Sequence, residues 1–213
     1  MNRFLLICGI LSTLLYIGVN VIVPLQWKEY DVASQTVSEL SAVGAPTRTL
    51  WIILCAPYTF LTVAFAWGVW RSAAGNRPLR IAGGLLLAYG SLGILWFFAP
   101  MHLRETLAAG GRTFSDTMHL TLAAVTEVLF LLALGFAAAA LGKTFRLYSI
   151  ATVIVLLIFG TLTFIESPGV AANQPTPLIG IWERINILVF MLWVAVLSIL
   201  LLRMQSVNEN RRV

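Results

Sequence analysis

MHLTLAAVTEVLFLLALGFAAAAL, residues Met118–Leu141, decides the fold. At about 1.5 Å per residue, a helix of this length crosses the ~30 Å hydrocarbon core of a bilayer. Glu127 is the one acidic residue in it. Five further runs match it in length and apolar character, at about 4–23, 50–70, 81–99, 147–165 and 181–202. The reading is an all-α polytopic membrane protein, a six-transmembrane-helix bundle forming one membrane domain over residues 1–213.

Composition agrees. Of 213 residues, 59% are hydrophobic and 11% charged, and the mean hydropathy is +0.89. A soluble domain so apolar would lack the polar groups to cover its surface. The first run follows Met1-Asn2-Arg3. It is too long for a typical signal-peptide core and has no small-x-small cleavage site before Pro24, so it is expected to stay as an anchor.

Charge sets the expected orientation. Arg3, Arg71, Arg77, Arg80, Lys143, Arg146, Arg203, Arg211 and Arg212 flank the spans on one side. Lys28, Arg48, Arg104, Arg112 and Arg184 lie on the other, nine against five. Cationic flanks favour the cytoplasm, so a cell-membrane protein with both termini cytoplasmic is expected. The same placement accounts for the net charge of +5 without nucleic acid. Of the nine acids, only Glu209 falls on the cytoplasmic side. The outer connections 24–49, 100–117 and 166–180 are the longer ones, and sites tend to lie on long loops. Cys8 and Cys55 start neighbouring antiparallel spans, at opposite faces, so no disulfide is expected between them.

The sharpest single residue is Glu127, roughly 12–16 Å into its span by helical rise. A carboxylate at that depth is costly and is paired, protonated or functional. Tyr58 and Tyr89 lie at a similar depth and could satisfy it. As a functional group it would handle a proton or cation or anchor a polar ligand; the plainer reading makes it a hydrogen-bonding link between helices.

A second cluster is expected at the outer mouth. Asp116 and His119, three residues apart, share a helical face, and the stripe continues inward to Glu127. His102, Asp116 and His119 are ligand types for zinc or a similar metal, but their spacing matches no established zinc motif. Ser115 or Asp116 as a helix cap is the simpler role. In the first outer loop, Thr36-x-x-Glu39 fits a capping box over a short helix. Ser38 beside Glu39 has the residue types of a nucleophile and base, but no companion histidine stands in place, and capping is the simpler role. Glu183 and Arg184 open the last span, where Arg184 could reach Glu39 or Glu127. Gly83, Gly90 and Gly93 mark a helix-packing face.

Tyr30-Asp31, Thr36-Val37-Ser38-Glu39-Leu40, Gly44 and Pro46 together resemble the first-loop signature of an uncharacterised six-helix membrane family, catalogued as domain of unknown function 998. Phe97-Phe98-Ala99-Pro100, His119-Leu120 and Glu183-Arg184 are similar to later elements of its pattern, although an alanine here separates Phe98 from Pro100. The resemblance implies a six-helix bundle with polar motifs at the outer mouth, and no particular reaction.

Three functions are compatible with these residues. The first is a polar pocket at the extracytoplasmic face that binds a lipid headgroup or small molecule, with proton or solute transfer as an extension. The second is a metal-assisted membrane lipid hydrolase at the outer interface. The third is a structural or assembly subunit.

Overall fold

The computed structural model describes residues 2–210, with side chains for residues 3–207. Arg211 and Arg212 of the charge count lie outside the described residues, as does the side chain of Glu209. The described residues form seven α-helices: α1 (Asn2–Ile22), α2 (Arg48–Ser72), α3 (Arg77–Leu92), α4 (Arg104–Ala108), α5 (Phe114–Ala140), α6 (Lys143–Ala171) and α7 (Ile179–Asn210). All except the short α4 are long and apolar enough to cross a membrane. Among the described residues there is no strand, only a single bridge between Val43 and His102. The chain is an all-α, multi-pass membrane protein.

Most spans extend a few residues beyond their expected apolar runs, because a helix continues into the interface where its side chains become polar. The third departs from expectation. The run 81–99 predicts one continuous helix, but α3 stops at Leu92 and a 3₁₀ turn, Leu95–Phe97, finishes the passage. Gly93, Ile94 and Phe97 donate to carbonyls three residues back, at Gly90, Ser91 and Ile94, in place of the four-residue ladder. That tightening reorients the chain before Ala99, whose carbonyl enters the site described below.

The six spans close a ring in the order α1, α2, α3, α5, α6, α7, with α7 returning to α1. Glycine sets the α2–α3 seam. A Cβ on Gly83 would stand 2.6 Å from the Trp70 Cα, and one on Gly90 would press on Val63 and Thr62. The expected packing face is therefore the one used. The α5–α6 seam is the least intimate of the ring.

The two halves of the ring are filled differently. Toward the end holding the short 73–76 and 141–142 turns, Leu6, Phe65, Val69, Leu86, Leu134, Phe145, Trp193 and Leu197 form a close core. Here Asn76 caps α3 through the Leu79 N–H and donates to the Ala140 carbonyl, tying that turn to α5. Toward the loop-rich end, a smaller cluster of Val19, Val23, Tyr30, Leu40 and Cys55 packs to one side, and the centre is open. Cys8 and Cys55 are both free thiols.

Candidate functional site

The first loop folds over the loop-rich end as a lid. Thr36 forms the expected capping box: the Glu39 N–H donates to the Thr36 hydroxyl oxygen, and the Glu39 carboxylate accepts the Thr36 N–H at 2.8 Å. The helix it caps is a 3₁₀ segment, Val37–Ser41. Glu39 is fully buried and receives a two-pronged contact from Arg104, with Nε and Nη2 each 2.8 Å from a carboxylate oxygen. That hydrogen bonding raises the Arg104 guanidinium above its ordinary pKa, so it stays charged. Arg104 also donates to the Ser34 carbonyl, which accepts the Thr176 hydroxyl as well. One arginine thus joins the first, second and third long loops. Its partner lies 65 positions away, and no local pattern in the sequence signals the pair.

Arg184 does something different from either expected pairing. It reaches neither Glu39 nor Glu127. Its guanidinium donates to the carbonyls of Val32 and Gly180 and to the Tyr30 hydroxyl at 2.8 Å. Tyr30 in turn donates to the Thr36 carbonyl at 2.7 Å, and burial raises its phenol well above the ordinary value. Gly180 permits the approach, since a Cβ there would collide with the Val32 and Gln35 carbonyls. Arg184 is thus a clamp on the lid.

Asp116 and His102 form a second structural tie. Asp116 accepts the His102 backbone N–H at 2.7 Å and contacts its Nδ1 at 2.9 Å. It also accepts the Thr113 N–H, so Thr113 opens α5 and Asp116 closes the box from the third position. Ser115 is not the cap; its hydroxyl donates to the Pro100 carbonyl. His119 shares a helical face with Asp116 but turns to other partners. Among the described residues, no three His, Cys, Asp or Glu side chains are grouped to hold a metal. With His102 and Asp116 spent on one another, the set His102, Asp116 and His119 does not fit zinc.

His119 instead meets Ser38. Its Nδ1 lies 2.9 Å from the Ala99 carbonyl and its Nε2 lies 3.0 Å from the Ser38 Oγ. The Trp96 ring packs against the imidazole in a T-shaped contact, centroids 4.7 Å apart. Glu183 completes the group. One carboxylate oxygen accepts the Val37 N–H at 2.6 Å and the other lies 3.5 Å from the Ser38 Oγ. The histidine that the sequence could not supply for Ser38 comes from 81 positions away.

These three residues stand at the head of a cavity of about 730 Å³ enclosed by the ring. Of the residues expected at a site, Ser38, His119, Glu183, Tyr58, Tyr89 and Glu127 line it. Glu39, His102, Asp116 and Arg184 do not; they build its roof. Many lining residues were not legible as site residues in the sequence, Arg48, Trp96 and Asn186 among them. Arg48 donates to the Ser41 carbonyl at the mouth. Asn186 lies against α6, where in its satisfied orientation it donates to the Leu156 carbonyl at 3.0 Å and accepts the Gly160 N–H at 3.2 Å.

Deeper in, the Tyr58 and Tyr89 hydroxyls pair with each other at 3.2 Å and not with Glu127. No hydrogen bond to the Glu127 carboxyl is present among the described residues, and it faces the cavity near the Gly160 backbone. Along α5, Leu120, Ala123, Ala124, Glu127 and Leu131 form the cavity stripe, opposite Leu157, Thr161 and Phe164 of α6. Leu120, Leu157 and Phe164 are exposed. The cavity therefore reaches the bilayer-facing surface through the loose α5–α6 seam.

The chain belongs to the family described as protein of unknown function (DUF998), whose sequence model matches residues 10–200. No curated protein and no solved structure matches it.

Proposed function

We propose that this protein binds an amphiphile, a membrane lipid or lipid-like small molecule, in the cavity between its six spans. The observation carrying this reading is the continuity of one space. It runs from the polar mouth at Ser38, His119, Glu183 and Arg48, past the apolar α5–α6 seam, to the mid-membrane Glu127. Its volume of about 730 Å³ falls within the ~300–1,000 Å³ typical of ligand sites, and its walls are mostly apolar with a few convergent polar groups. A polar head fits the mouth, and an apolar tail fits the seam without leaving hydrocarbon.

Charge bias supports a mouth at the extracytoplasmic face of the cell membrane, with both termini in the cytoplasm. The opposite half of the ring is close-packed, which favours binding from the outer leaflet over passage through the protein. Proton or solute transfer would need that core to part, with Glu127 as the group handling charge.

The test is lipid retention by the purified full chain, measured by native mass spectrometry. Ala124 lines the cavity on its open side, so Ala124→Trp should fill it and leave the helix seams intact. A drop in retained lipid of about tenfold, ~1.4 kcal/mol of binding, is expected with an unchanged thermal transition. Equal retention in parent and variant would remove the cavity as the binding site.

A further inference from the structure

We propose that Ser38 and His119 form a nucleophile–base pair that cleaves a carboxylic ester of the bound amphiphile. This rests on the binding reading above. The proton logic follows from fixed acceptors. A backbone carbonyl can only accept, so the hydrogen on His119 Nδ1 points at Ala99. In the neutral imidazole Nε2 is then an acceptor, and the Ser38 hydroxyl, 3.0 Å from it and 3.5 Å from the Glu183 carboxylate, gives its one hydrogen to the nearer nitrogen. That is the arrangement an activated serine requires: nucleophile, base, and a third group that orients the base. Here the third group is the Ala99 carbonyl, presented by the 3₁₀ turn that ends the third span. Trp96 restrains the ring plane from the side.

The placement suits a lipid ester. Ser38 lines the cavity mouth on the loop that joins α1 to α2, beyond the ends of the apolar spans, and ester groups of membrane lipids lie outside the hydrocarbon core. The acyl chain runs along Leu120, Leu157 and Phe164 in the α5–α6 seam, and Arg48 offers a cation to an anionic headgroup. Ser38 Oγ bonds to the ester carbonyl carbon while its proton passes to His119 Nε2. The carbon–oxygen bond to the leaving alcohol then breaks, and His119 returns the proton to that oxygen. Water then bonds to the acyl carbon while its proton passes to the same nitrogen. The bond from that carbon to Ser38 Oγ breaks to release the fatty acid, and His119 returns the proton to Oγ.

The decisive probe is a fluorophosphonate, which reacts with activated serines, applied to the full chain in phosphatidylcholine nanodiscs. One adduct on Ser38 is expected, mapped by peptide mass. Ser38→Ala should abolish it, and Ser41→Ala, at the same mouth, should leave it unchanged. His119→Gln is the informative variant. Glutamine can donate to the Ala99 carbonyl and accept from Ser38, so the tether survives while the base is lost. The labelling rate should fall at least about 100-fold with the thermal transition preserved. No Ser38 adduct in the parent chain, or equal labelling in His119→Gln, overturns the proposal, and the parent result decides if that variant does not fold. Lipid retained without labelling defeats the ester chemistry alone. Labelling without retained lipid defeats the binding reading from which the lipid substrate is drawn.

Discussion

At the residue scale, the polar side chains divide into those that build the roof and those that face the cavity. Glu39 and Arg104 belong to the first group. Arg104→Ala would leave a fully buried carboxylate without its cation, a loss expected to cost about 3–5 kcal/mol. The drop should appear as a lower thermal transition in detergent. An unchanged transition would mean that the loops are held by other contacts. Glu127 belongs to the second group. With no hydrogen-bond partner for its carboxyl among the described residues, Glu127→Gln should shift stability by less than about 0.5 kcal/mol. A loss of more than about 1 kcal/mol would restore the reading of Glu127 as a link between helices. The sequence exposed Glu127 because an acid in an apolar run stands out by composition alone. It could not assign the partner, since Tyr58 and Tyr89 at the same depth prefer one another.

At the level of elements, glycine placement decides how closely helices approach. Gly83 faces the Trp70 backbone, where any Cβ would stand under 3 Å from main-chain atoms. Backbone cannot yield as a flexible side chain can, so Gly83→Leu should cost at least about 1–3 kcal/mol and reduce the yield of monodisperse protein. Gly84, one position on, meets nothing within 4 Å, so Gly84→Leu should be tolerated. Equal damage from both would mean that the packing face is misplaced. This face was legible in sequence because helical spacing groups Gly83, Gly90 and Gly93. The end of α3 was not, because an apolar run looks the same whether it continues as α-helix or tightens to a 3₁₀ turn. The same limit hid the cap of α5: Ser115 and Asp116 are capping residue types, but Thr113 occupies the position where the helical bonds begin.

For the whole molecule, the closed ring and its uneven filling matter most. One half is a close-packed core and the other holds the cavity, so access is expected from one face and from the α5–α6 seam. For the orientation proposed from charge, a reporter enzyme fused after Arg212 should be active only in the cytoplasm; activity only outside would invert the mouth. The spans, the all-α class and the family resemblance were all readable from the chain, because lipid demands long apolar helices and those leave a continuous local imprint. So were the capping box at Thr36 and the mid-membrane acid. What the tertiary structure alone decided was partnership. Ser38 meets His119 across 81 positions, Glu39 meets Arg104 across 65, and Val37 meets Glu183 across 146. A hydrogen bond near 3 Å depends on which helices are neighbours in the ring and how far each loop folds back. Those distances are set by closure of the whole bundle and leave no periodic trace in any single segment.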